Sequence, residues 1–333
     1  MGQALKRRGN FLVRGVCNAI LLNTIYKREF DIAKTLVVAG TTRSGSTWLA
    51  EIVSAAPGCG QIFEPLSPTH VYAARKAGVT HNTFMAPSAE WPAGKGFLQQ
   101  VLSGQLLTPW TTSQIPISKA KEVSCLVVKF VRANMLLGWL SANFPIKPPA
   151  LIIRHPCATI ASQAKKKWPG TQVNWENPFF SHYPELRERC QSLSRPEEIR
   201  AIQWCMRYYA PLSLPGVYPF VLLSYEGLVR HGEGELERLY RRWELPLPTE
   251  ALAMLRRPSK TVTDESQVVL GKDPLAGWKK HLSKKEMENV LKVVSLFGLD
   301  FYTDAIEPDF ERLRKSGNIV KSSAELCSGP VLR

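Results

Sequence analysis

The sequence predicts an α/β fold in three layers, a central parallel sheet flanked by helices. Three observations lead there. Short β-branched apolar runs alternate with segments of helical periodicity, the pattern of parallel strands joined by crossover helices. The 333 residues suffice for one large α/β domain with a full core. The composition, 44% hydrophobic and 21% charged, is that of an ordinary globular chain, which sets aside wholesale disorder and collagen-like or coiled-coil architectures.

In chain order, residues 1–34 carry seven Lys/Arg and two acids and read as a basic amphipathic segment that lies on the domain or on an anionic membrane surface. A single α/β domain is expected over 35–306. Its candidate strands are Thr35–Ala39, Cys125–Lys129, Ala150–Arg154 and Tyr218–Leu223. Thr47–Ala56, Ala133–Phe144, Cys157–Lys167 and Gly227–Trp243 follow them as helices, with Pro156 suited to a helix start. Further helices are expected at Pro196–Tyr209 and Lys284–Phe297. Two stretches break the alternation, 57–122 and 168–195. They read as irregular, substrate-facing insertions, because ligands gather at the carboxyl ends of parallel strands. Residues 307–333 read as a weakly structured tail.

The net charge of +15 favours anionic partners such as nucleotides, sulfated or carboxylated substrates, nucleic acid and acidic membranes. Seven cysteines, odd in number and without a CxxC pair, argue against a disulfide framework or a zinc site and for a reducing compartment. No apolar run reaches the roughly 18 residues of a membrane span. Cytoplasmic residence is therefore expected, with peripheral membrane contact through the basic N-terminal segment.

The segment TLVVAGTTRSGSTWL, residues 35–49, carries the most chemistry. A buried strand enters a Gly-containing loop and then a helix, so unpaired amides at the helix start can receive a phosphate. Against the P-loop pattern GxxxxGK[ST], Gly40, Gly45 and Thr47 fit while Ser46 stands where the lysine belongs. That lysine serves the β- and γ-phosphates, so its loss counts against γ-phosphate transfer. Arg43 instead brings a cation into the loop. The fold expected is thus P-loop-type, with an anionic nucleotide other than ATP.

These residues resemble the sulfotransferases that use 3'-phosphoadenosine 5'-phosphosulfate (PAPS). Their 5'-phosphosulfate loop, [KR]SG[TS]T followed often by Trp, is matched by Arg43, Ser44, Gly45, Ser46, Thr47 and Trp48. Their 3'-phosphate element, a strand-ending Arg and a Ser eight residues on, is matched by Arg154 and Ser162 in LIIRHPCATIAS. SYEGL is similar to a strand-ending signature that includes Tyr225, with Gly227 in place of an acid. LGKDPLAGWKKHLS resembles the loop that closes over the cofactor and aligns Lys272 with its lysine, while Gly271 and Asp273 replace its flanking residues. The resemblance runs from about Thr35 to Tyr302. It implies PAPS as cofactor, 3',5'-ADP as product and no metal. It also implies that amides of residues 44–47 hold the 5'-phosphate, that Arg43 neutralises the leaving oxygen with help from Lys129, and that Trp48 contacts adenine.

Sulfuryl transfer to a hydroxyl needs a base. Cytosolic members use a His two residues after a strand-ending Lys. Lys129 matches that Lys, but Val131 stands in the place of the His. Carbohydrate-type and related branches use a Glu shortly after the first helix, often in Phe-Glu-Pro-Leu, and Phe63-Glu64-Pro65-Leu66 is present. Glu64 is accordingly the expected base, its pKa raised by apolar neighbours; the alternative is a carboxylate paired with a cation as site organiser. His70 is the reserve base and His155 is read as structural. Lys165–Lys167 read as a solvated helix end. A carbohydrate, glycolipid or other small-molecule alcohol is the acceptor expected. A P-loop kinase and a basic nucleic-acid-binding protein are the competing readings, the latter without any visible binding module.

Overall fold

The computed structural model describes residues 28–115, 117–166, 172–213, 218–257 and 275–318. The predicted N-terminal segment up to residue 27, Lys167, Lys272 and the tail beyond 318 lie outside the described residues. Five parallel strands form one sheet, β1 (Leu36–Gly40), β2 (Cys59–Phe63), β3 (Cys125–Phe130), β4 (Ala150–Ile153) and β5 (Val221–Ser224). Their order is β2-β3-β1-β4-β5, with β1 in the centre.

The strand sequences explain the layers, because successive side chains point to opposite faces. Val37 and Ala39 of β1, Leu126 and Val128 of β3 and Leu151 and Ile153 of β4 join one core cluster, while Leu36, Val38, Val127, Ala150 and Ile152 join the other. Both faces are covered, so the central strands are apolar throughout. On the first face lie α3 (Pro92–Leu102), α4 (Leu137–Asn143), α5 (Pro156–Lys165), α8 (Pro196–Leu212) and α11 (Lys284–Leu296). The other carries α1 (Ser46–Val53), α9 (Tyr225–Arg242) and α10 (Thr249–Leu255). The helix α2 (Tyr72–Lys76) and the pair α6 (Pro178–His182) and α7 (Pro184–Cys190) complete the walls, followed by α12 (Phe310–Asn318). Among the described residues no helix is long and apolar enough to cross a membrane.

Four departures from the sequence reading have physical causes. The stretch 57–122 is not wholly irregular: CGQIF forms the edge strand β2, paired in register with β3 from Cys59↔Cys125 to Phe63↔Lys129. Its Gly and Gln residues hide the strand pattern, and β3 supplies what propensity does not. The stretch 168–195 likewise holds α6 and α7, each starting at a proline whose missing N–H costs nothing there. The strand expected at Tyr218 begins only at Val221, whose amide is the first to bond β4's side, at Pro149 O; Pro219 has no N–H to offer. The tail is helical at its start, because Leu313 is buried, Asp309 caps the Arg312 amide and Arg314 reaches Glu235 at 3.3 Å.

Candidate active site

The chain leaves β1 toward β2 and β3 on one side and later returns to β4 and β5 on the other, so the loops after β1 and β4 part at a topological switch point. A cavity of about 1010 Å³ opens there. The loop 41–45 is shaped by two glycines. A Cβ on Gly40 would stand 2.6 Å from Ser44 Oγ and 2.7 Å from Ile152, and one on Gly45, at φ +94°, would stand 2.5 Å from the Tyr225 ring. Tyr208 of α8 anchors the loop: its hydroxyl donates to Ile152 O (2.9 Å) and accepts from the amide (3.3 Å) and hydroxyl (3.1 Å) of Thr41. The helix α1 begins at Ser46, so its first amides have no acceptor within the helix.

Arg43, Gly45, Ser46, Thr47 and Trp48 line the cavity, but Ser44 does not. Its amide and hydroxyl both turn back to Thr41 O, at 3.1 and 2.7 Å, and the residue is fully buried. The expectation that Ser44 contacts the phosphate is therefore corrected: its hydroxyl closes the loop that others line.

Arg154 and Ser162 meet this loop. Arg43 Nε donates to Ser162 Oγ at 2.8 Å, and Arg154 Nη1 donates to Arg43 O at 3.2 Å. Ser162 stands behind Arg43 and outside the cavity wall, whereas Arg154 lines it. The Arg154 guanidinium lies 4.2 Å from the Tyr225 ring centre, and its buried Nε has no hydrogen-bond partner among the described residues. Trp48 packs edge-on against Tyr225 and donates from Nε1 to Arg257 O at 3.1 Å. Burial and the neighbouring Arg154 cation lower the pKa of Arg43. Two adjacent cations, an orphaned N–H and a helix start with open amides are the makings of an anion site.

Further along the wall, Glu64 follows the end of β2. Its Oε1 accepts from Lys129 Nζ at 2.5 Å and its Oε2 lies 3.8 Å from Arg132 Nη1. The surroundings expected from Phe63, Pro65 and Leu66 are thus corrected: cations flank the carboxylate, because β2 and β3 pair so that Phe63 and Lys129 are opposite. Lys129 is only 1% exposed; burial lowers its pKa and the Glu64 carboxylate raises it, burial being the larger effect. Glu64 sits at φ +42°, with its amide bonded to Lys129 O and its carbonyl to Trp110 Nε1. His70 stacks on Trp110 at 3.7 Å, and its Nδ1 bonds Ser67 Oγ.

Several wall residues escaped the sequence reading. Arg132, Arg207, Gln203 and His81 line the Glu64 end, and Arg256 and Arg257 the Trp48 end. Gln203 and Arg207 are one turn apart on α8, but nothing in the chain marks that face as a cavity wall. His155 is structural, as expected. Its Nδ1 accepts from Cys157 N and its Nε2 donates to Thr303 O, and burial pushes its pKa down to about 4. Glu226, buried and raised in pKa by that burial, joins His155 N to Tyr302 OH. Tyr225 is thus the cavity-facing half of SYEGL and Glu226 the structural half.

No curated protein matches the chain. Among solved structures, it is similar to the sulfotransferase domain of the Synechococcus PCC 7002 olefin synthase, with 15% identity and a TM-score of 0.46 over 84% of this chain and 97% of that one. It is also similar to mouse sulfotransferase SULT7A1 complexed with PAP, with 11% identity and a TM-score of 0.40 over 89% and 92%. The profile described as the sulfotransferase family matches residues 35–249, from the start of β1 to the start of α10. The chain belongs to the sulfotransferase family, and sulfuryl transfer is its chemistry.

Proposed function

We propose that the protein transfers the sulfuryl group of PAPS to an acceptor hydroxyl, with Glu64 as general base. The observation that carries this reading is that one cavity joins the loop after β1, Arg154 and Glu64. The residues present fit the nucleotide: the open amides of α1 and the Arg43 and Arg154 cations suit its phosphates, and the orphaned Arg154 Nε is a donor in want of an acceptor. When bound, PAPS supplies the sulfuryl group and departs as 3',5'-ADP.

The chain's own residues do the rest. Amides of Gly45, Ser46 and Thr47 hold the 5'-phosphate, with the Ser46 and Thr47 hydroxyls. Arg154 binds the 3'-phosphate, and Ser162 sets Arg43 beside it. Tyr225 and Trp48 form an aromatic wall for the base. Glu64 takes the proton of the acceptor hydroxyl as the new S–O bond forms, and Lys129 offsets charge on the leaving phosphate. Lys272 is proposed, from the resemblance alone, to add a cation to the 3' side. The acceptor is a carbohydrate, glycolipid or other small-molecule alcohol, seated against Phe63, Trp110 and His70.

The test is a thermal-shift comparison of 3',5'-ADP with ATP and 5'-AMP. At about 100 times its Kd, 3',5'-ADP should stabilise by roughly 2.7 kcal/mol, and Arg154→Ala should abolish the shift. Equal shifts for all three nucleotides, or a preference for ATP, would overturn the reading.

A further inference from the structure

The Glu64 end of the cavity holds more positive charge than its chemistry uses. Lys129 and Arg132 flank the Glu64 carboxylate, and Arg207 stands beside Arg132. Lys129 takes Glu64 Oε1; Arg132 is 3.8 Å from Oε2, and its buried Nη1 has no hydrogen-bond partner among the described residues. Arg207 donates twice, from Nε at 3.0 Å and Nη2 at 2.8 Å, to a neutral oxygen, Asn82 Oδ1. Among the described residues no carboxylate pairs with it, and burial together with the Arg132 charge lowers its pKa to about 10. His81, on the same wall, has its pKa lowered by burial and by these two arginines, which favours a neutral ring.

Arg132 shares Glu64 with Lys129 and Arg207 has no paired carboxylate among the described residues, an imbalance that is costly to keep in a partly desolvated wall. Such groups persist where an anion completes them, and arginine suits planar oxyanions in particular. The nucleotide's anionic groups have their own partners at Arg43 and Arg154, which contact each other and Ser162 but not Glu64.

We propose that Arg132 and Arg207, with Gln203 and His81 beside them, form an anion subsite for the acceptor, so that the alcohol sulfated here also carries a carboxylate, phosphate or sulfate group. This deepens the reading of Glu64 as the base, since Arg132 touches both Glu64 and the subsite. The acidic group would anchor the acceptor and leave its hydroxyl at the carboxylate.

The experiment measures acceptor binding by calorimetry at fixed ionic strength, with and without saturating 3',5'-ADP. The probes are neutral and acidic twins: p-nitrophenyl glucoside and glucuronide, tyrosol and 4-hydroxyphenylacetate, glycerol and glycerol 3-phosphate, galactose and galactose 6-sulfate. The proposal expects at least one acidic twin to bind about tenfold or more tightly than its neutral partner. That gap should close in Arg207→Gln and in Arg132→Gln and persist in Asn82→Ala, which removes the internal partner and keeps the cation. Which pair shows the gap distinguishes carboxylate, phosphate and sulfate. A gap in no pair, or one that survives both arginine variants, overturns the proposal. Should Arg207→Gln fail to fold, the wild-type gap and Arg132→Gln still decide. Failure of 3',5'-ADP to bind would defeat the PAPS reading instead, and the nucleotide-free titrations would then judge the subsite alone.

Discussion

Arg43 and Glu64 share a backbone property that their side-chain chemistry does not require: both lie in the left-handed region, at φ +73° and +42°. An L residue there costs about 1–2 kcal/mol, and such strain collects where a side chain must be aimed. At Glu64 the bonds to Lys129 O and from Trp110 Nε1 hold the strained backbone and turn the carboxylate toward Lys129. Glu64→Gln keeps the shape and removes the proposed base; kcat should fall by roughly 10²–10⁴-fold while the 3',5'-ADP thermal shift stays. Loss of that shift together with activity would make Glu64 an organiser of the whole site. Gly45→Ala places a methyl against Tyr225 at φ +94° and should cost about 1–3 kcal/mol and the 3',5'-ADP shift as well. Unchanged melting and nucleotide binding would show that the loop is not held by that contact.

The start of α5 joins three parts of the chain. His155 caps the Cys157 amide, donates to Thr303 O, stacks on Trp278 at 4.4 Å and lends its own amide to Glu226. Its ring is neutral in the fold, with a pKa of about 4, and titrates near 6.5 when the chain is unfolded. Between these values the unfolded chain binds more protons. His155 therefore leaves stability whole above about pH 6.5 and removes up to about 3 kcal/mol as the pH falls toward 4. Burial raises Glu226, whose contribution has the opposite sign, so a variant is needed to isolate the imidazole. His155→Asn retains a capping acceptor without a titrating ring. Urea unfolding at pH 4, 5 and 7 should show the wild type losing more stability on acidification than this variant. Parallel losses would mean that His155 is not held neutral.

At the scale of the whole molecule, the loop after β1 depends on a helix far from it in sequence. Tyr208 of α8 bonds Thr41 beyond β1 and Ile152 in β4, and so fixes the switch point from the opposite layer. Tyr208→Phe leaves the Thr41 amide and the Ile152 carbonyl without this partner and should cost roughly 1–3 kcal/mol. It should also weaken 3',5'-ADP binding, because the loop loses its anchor; a variant with wild-type melting and affinity would show that the loop holds its shape alone.

The central strands, the helices after them, the loop from Gly40 to Thr47 and the pair Arg154 and Ser162 are legible in the chain, because each rests on local periodicity or short spacing. The edge strand β2 was not legible, since CGQIF forms a strand only by pairing with β3. Nor could the chain show that Ser44 turns inward to Thr41, or that Lys129 is drawn onto Glu64 by the register of two strands. Arg132 and Arg207 belong to segments about 75 residues apart in the chain, and only the packing of α8 beside the end of β3 puts their charges on one wall. Sequence by itself determined the layered fold and the loop after β1, which arise from neighbours along the chain. Tertiary structure alone decided the surroundings of Glu64 and the gathering of Arg132 and Arg207 on one wall, because those are made by residues that meet only after the sheet and helices have packed.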